Sequence, residues 1–157
     1  MFLALKLVHI LAVILFLGNI TLAMVWKLDA DRTRNPAILA HVLNGVVLGD
    51  RWITVPSAVI LSVSGVTMAI MSRLPLLHVG WIWQSLLLFA LSGALYIFPI
   101  GPDQRRMLAM AHAARQNPAA MDWVAYRRLS RRWLGMGTVA ILAPLLAVAL
   151  MVLKPSA

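Results

Sequence analysis

Phe2-Leu-Ala-Leu-Lys-Leu-Val-His-Ile-Leu-Ala-Val-Ile-Leu-Phe-Leu-Gly-Asn-Ile-Thr-Leu-Ala-Met-Val-Trp26 is the stretch on which the fold turns. It is apolar apart from Lys6, His9, Asn19 and Thr21. As a helix rising about 1.5 Å per residue it is long enough to cross roughly 30 Å of hydrocarbon. An ionisable side chain at that depth is costly unless something coordinates it or bonds to it, so His9 is a candidate functional residue by its position alone.

The rest of the chain has the same character. Of its 157 residues 62% are hydrophobic and only 12% charged, an imbalance that marks an integral membrane protein. Cysteine is absent, which excludes disulfides, thiolate metal sites, iron-sulfur clusters and cysteine nucleophiles. The formal net charge of +9 does not point to nucleic acid, because the arginines flank apolar spans, as the positive-inside rule requires.

Apolar windows run from Phe2 to Trp26, Trp52 to Met71, Leu77 to Phe98 and Trp133 to Leu153, and predict an all-α bundle of four transmembrane helices in one domain. Trp26, Trp52, Trp81, Trp83 and Trp133 lie at or near the window ends, where interfacial anchors belong. The first window also resembles a signal peptide with a weak cleavage site at Thr21-Leu22-Ala23. That reading is set aside because the apolar run continues to Trp26 and no cation precedes Lys6. All Lys and Arg residues except Lys6, Arg73 and Lys154 lie in the two segments between spans one and two and between spans three and four. Those segments are therefore expected in the cytoplasm and both termini outside, which in a bacterium means an inner-membrane protein with periplasmic ends.

The basic segments carry patterns of their own. Asn35-Pro36 opens a short helix expected on the membrane surface or under the bundle, and Pro102–Arg115 and Met121–Arg132 read as amphipathic helices broken at Asn117-Pro118. Such Arg-rich helices suit lipid headgroups, or a partner membrane protein. All five acids, Asp29, Asp31, Asp50, Asp103 and Asp122, fall in these segments, which leaves no carboxylate relay across the membrane, and Asp50-Arg51 reads as an ion pair capping the second span.

Small and polar residues at helical spacing identify inward faces. His9, Ala12, Phe16, Asn19 and Ala23 form such a stripe on the first span. Ser57, Leu61, Ser64, Gly65 and Met68 form one on the second, and Trp81, Ser85, Leu88, Ser92 and Tyr96 one on the third, with Gln84 nearby. Pro144 in the fourth should free a carbonyl for a neighbour. His41 and His112 read as surface residues. His9 and His78 lie on the outer side, and His9 suits an axial ligand of b-type haem, with His78 distal, beside the haem or merely interfacial. The plain alternative is a neutral His9 bonded to Asn19 or to a carbonyl. Met68, Met71 and Met151 on the same side leave copper open as a second cofactor.

With these pieces in place the chain resembles the DUF2269 family of predicted integral membrane proteins. The resemblance rests on Leu5–Leu11 with Gly18-Asn19, Asp50-Arg51 through Thr54-Val55-Pro56, Gly65, Gly80-Trp81, Pro102 with Gln104-Arg105-Arg106, Arg131-Arg132-Trp133 and Met151–Pro155. It implies an integral membrane protein and no activity. A more distant likeness, carried by the Lys6-x-x-His9 start, is to the haem-linked HemJ-type protoporphyrinogen oxidases and the CopD-type copper-resistance proteins. It implies haem ligation at His9, while the lysine of the HemJ-type third helix is replaced here by Gln84. The expectation is therefore a haem-binding, cytochrome b-like membrane protein with Asn19 and Gln84 beside the haem. It would serve electron transfer or haem handling, with a haem-dependent oxidoreductase activity left open. A cofactor-free accessory or assembly subunit is the alternative.

Overall fold

A computed structural model describes residues 1–73 and 79–154. It is all-helical, with no strand among the described residues, and four helical rods are long and apolar enough to cross a membrane: Phe2–Thr33, Pro36–Met71, Gly80–Ala113 and Trp123–Leu153. The first rod is α1 (Phe2–Thr33). Arg34, in a left-handed conformation, ends it, and the Asn35 side chain accepts from the Ala37 N–H to start the next helix with Pro36 in its first turn. That tight connection makes the first two rods antiparallel neighbours.

The second and third rods each contain a wider, π-helical turn. The second comprises α2 (Pro36–Gly49), a π turn at Asp50–Thr54 and α3 (Val55–Met71). The third comprises α4 (Gly80–Leu95), a π turn at Tyr96–Ile100 and α5 (Gly101–Ala113). Each π turn precedes or contains a proline, Pro56 after the first and Pro99 within the second, so the missing N–H is absorbed where the backbone is already re-registered. Gly101 permits the second turn, since a Cβ there would stand 3.0 Å from the Tyr96 carbonyl. The fourth rod, α6 (Trp123–Leu153), is capped by Asp122, whose carboxylate accepts from the N–H groups of Val124 and Ala125.

Thirty-odd residues at about 1.5 Å each exceed roughly 30 Å of hydrocarbon by some three to four turns, so the rods project from the membrane at one end. At the end bearing the basic segments the projection forms its own apolar core, in which Ala30, Leu39, Ala40, Leu43, Met107, Ala111 and Tyr126 are buried. This changes the placement of the short helices expected between the spans. α2 and α5 do not lie on a membrane surface but continue the transmembrane rods, because Leu39, Ala40 and Leu43 meet Met107 and Ala111 instead of lipid.

Two further residues sit differently from their sequence-based placement. Lys27, counted among the loop cations, is completely buried, its Nζ 2.6 Å from the Asp31 carboxylate and bonded to Ser130, with the rings of Trp133 and Tyr126 at 5.2 and 5.8 Å. Trp133, expected as an interfacial anchor, is only 5% exposed and lies inside the bundle. Trp26 and Trp52 are instead exposed, at 59% and 68%.

Through the membrane-spanning half the helices touch by small residues. Ser85 and Ser92 on α4 face Ala140, Ala143 and Ala147 on α6. Pro144 deprives the Ala140 carbonyl of its helical donor, and the Ser92 hydroxyl supplies one at 2.7 Å. The outward faces are apolar and exposed, including Leu7, Ile14, Leu22, Val63, Leu87, Leu91, Leu142 and Leu146, as lipid contact requires.

Candidate functional site

α1 presents His9, Ala12, Phe16, Asn19 and Ala23 to the bundle as the 3.6-residue period dictates, with Ala12 and Phe16 buried and the others partly so. His9 meets α3, where its Nδ1 lies 2.9 Å from the Ser64 hydroxyl and its Cε1 only 3.1 Å from where a Cβ on Gly65 would be. The Ser64 hydroxyl spends its one proton on the Ile60 carbonyl at 2.6 Å. With that proton assigned to Ile60, the bond between His9 and Ser64 uses a proton on Nδ1 and leaves a lone pair on Nε2. A neighbour holding one ring nitrogen while the other stays basic is the arrangement used by histidines that ligate metals.

Among the described residues no three His, Asp or Glu side chains gather as a metal-binding group. His78 lies outside the described residues. Gln84 is partly buried on α4, away from the hydrogen-bond networks described here. Met68 is partly buried one turn beyond Ser64, and Met71 is 39% exposed at the end of α3. His41 and His112 are exposed.

Asn19 does not pair with His9. Gly49 lets α2 approach α1 so closely that a Cβ there would stand 2.9 Å from Asn19 Oδ1. Asn19 Nδ2 donates to Thr54 Oγ1 at 2.8 Å, and Thr54 Oγ1 donates to Asp50 Oδ1 at 3.1 Å. From the other side Trp133 Nε1 donates to Gln104 Oε1 at 3.1 Å, and Gln104 Nε2 donates to Asp50 Oδ2 at 2.9 Å. Every bond runs toward one carboxylate, and the chain of donors joins α1, both π-containing rods and α6.

Asp50 thus overturns its sequence-based placement as a surface ion pair with Arg51. It is 5% exposed and bonded to neutral donors, whereas Arg51 is exposed beside the Trp52 ring. Asp50 falls four residues after Val46, on the inward stripe that Leu39, Leu43 and Val46 mark on α2, and the π turn begins with it. The network opens onto a cavity of about 150 Å³ between the four rods. Asp50, Thr54, Tyr96, Gln104 and Trp133 form one end, and Phe16, Ile20, Val55, Phe89 and Ile141 wall the rest. Phe16 and Phe89 pack on each other at 5.5 Å between ring centroids. His9 does not line this cavity.

The DUF2269 sequence model, described as a predicted integral membrane protein, matches residues 3–155. The chain belongs to this family. No curated protein and no solved structure matches it. The DUF2269 chain brings together Asn19, Asp50, Thr54, Gln104 and Trp133, residues scattered over more than a hundred positions, at a single carboxylate. Sequence reasoning picked out Asn19 but missed the other four as a group. Asp50 did carry a signal, four residues after Val46 on the stripe of Leu39 and Leu43, but nothing in the sequence announces the π turns or the meeting with Gln104 and Trp133.

Proposed function

We propose that this membrane protein holds a b-type haem through His9 and serves electron transfer or haem handling. The observation that carries the reading is the bond between His9 Nδ1 and the Ser64 hydroxyl, which itself reaches the Ile60 carbonyl; with Nδ1 as the donor, Nε2 is free to serve as a ligand atom. Bound there, a haem would supply one-electron chemistry. The chain's own part is to fix the tautomer, to hold the ring against Gly65 and to keep the site among apolar side chains of low dielectric. The excess of Lys and Arg at the α1–α2 and α5–α6 ends supports a cytoplasmic placement of that end, with both termini on the outer side of a bacterial inner membrane.

Expression with ample haem followed by a spectrum of the detergent-purified protein tests the reading. A Soret band and a pyridine haemochrome that vanish in His9→Ala and persist in His41→Ala are expected. A colourless protein that co-purifies with another membrane protein would replace haem binding with an accessory or assembly role.

A further inference from the structure

We infer that the cavity ending at Asp50 is a binding site for a small lipophilic organic cation, one aromatic or alicyclic ring bearing an ammonium group. This site is separate from His9 and does not depend on the haem reading.

The charge comes first. Among the described residues the salt bridges are Lys27 to Asp31 and Arg132 to Asp103, and neither involves Asp50. All donors in its network are neutral and all point at it, from Trp133 through Gln104 and from Asn19 through Thr54. Such donors stabilise an anion without neutralising it, and a buried charge left without a counter-charge is expensive. Thr54 and Gln104 occupy two of about four acceptor positions on the carboxylate, and even a third donor from the neighbouring Tyr96 leaves capacity facing the cavity.

Shape supplies the second argument. A cavity of about 150 Å³ accommodates one ring, since an engineered apolar cavity of roughly that size takes up benzene. The walls away from Asp50 are Phe16, Ile20, Phe89 and Ile141, which suit an apolar body, and the rings of Tyr96 and Trp133 flank the charged end, where an ammonium is attracted to aromatic faces. Both π turns contribute, Asp50 and Thr54 from one and Tyr96 and Ile100 from the other.

A second cavity of about 250 Å³, lined by Asn19, Trp26, His41 and Gly45, shares Ala23 and Val46 with the first. It lies beside the exposed Trp26, at the level where a headgroup-bound amphiphile would sit.

The test compares benzylammonium with benzyl alcohol, equal in size and different in charge, by calorimetry on the full-length protein in detergent. Benzylammonium is expected to bind roughly tenfold or more tightly than the alcohol, a margin set by one desolvated ion pair. Asp50→Asn should erase that margin. Gly93→Leu keeps the falsification independent of whether that variant folds. Gly93 lines the cavity and has nothing within 4 Å of an added Cβ, so leucine there should fill the space and abolish binding of both probes while leaving the carboxylate intact. Equal affinity for the two probes, no binding of benzylammonium, or wild-type binding in either variant would overturn the inference.

Discussion

Ser92 completes the helix that Pro144 interrupts: its hydroxyl donates to the Ala140 carbonyl at 2.7 Å across the α4–α6 interface. In hydrocarbon that carbonyl has no water to turn to, so the bond matters more than its mean strength suggests. Ser92→Ala should destabilise the protein by about 1 kcal/mol, the usual worth of an interhelical bond in a membrane. Pro144→Ala restores the N–H that the carbonyl lacks and should remove most of that penalty. A double-mutant cycle of unfolding in mixed micelles measures the coupling, and purely additive costs would show that the serine only packs.

How far the sequence carries this architecture depends on the kind of signal. The inward stripes were legible because period and residue size act locally: Ser57, Ser64, Ser85 and Ser92 are all buried where small residues were expected to meet another helix. The carbonyl freed by Pro144 was legible for the same reason. The extramembrane layer was not, because α2 and α5 have the composition of interfacial helices, and only the meeting of Leu39 and Leu43 with Met107 and Ala111 turns that face inward. Lys27 was misplaced because charge is read as exposure. Its burial needs Asp31 on the same helix together with Ser130 and Tyr126 from a helix some hundred residues away, and no window of sequence contains that pairing. Asp50 was misread because its charge and its neighbour Arg51 suggested a capping ion pair, although it falls four residues after Val46 on the inward stripe of Leu39, Leu43 and Val46.

Gly65 and His9 form a matched pair, since the imidazole occupies the space a side chain at 65 would need. Gly65→Val in the wild-type background should cost about 1–3 kcal/mol through overpacking and should displace the ring from Ser64. In a His9→Ala background the valine fills the vacated volume, so the same substitution should be neutral or stabilising. Thermal unfolding of the four proteins decides the matter, and an equal cost of Gly65→Val in both backgrounds would place the imidazole elsewhere.

Orientation is directly testable because the chain has no cysteine of its own. A single cysteine at Asn117, in the exposed connection between α5 and α6, should react with a membrane-impermeant maleimide in inverted vesicles and not in intact cells. A cysteine at Leu3, exposed near the start of α1, should show the reverse. The basis is the concentration of Lys and Arg at the end of the bundle that carries Asn117. Labelling of Asn117→Cys in intact cells would invert the topology.

Lys27 and Asp31 supply the sharpest energetic prediction, because they are a buried ion pair whose partners come from both ends of the chain. Lys27 is wholly enclosed, Asp31 accepts from Lys27 and Ser130 and from the Tyr126 hydroxyl at 2.6 Å, and the pair ties α1 to α6 where the rods leave the membrane. Lys27→Ala leaves the carboxylate, itself 21% exposed, with hydroxyl donors alone and opens a void beneath Trp133, so a loss of about 3 kcal/mol is expected, the low end for removing one partner of a buried pair. Lys27→Met with Asp31→Asn removes both charges and keeps the volume, and should cost far less than Lys27→Ala alone, since the desolvation of both ions is recovered. Denaturant unfolding in detergent measures the two variants side by side. A double variant as unstable as Lys27→Ala would mean that the cation itself, through its contacts with the Trp133 and Tyr126 rings at 5.2 and 5.8 Å, holds the helix ends together.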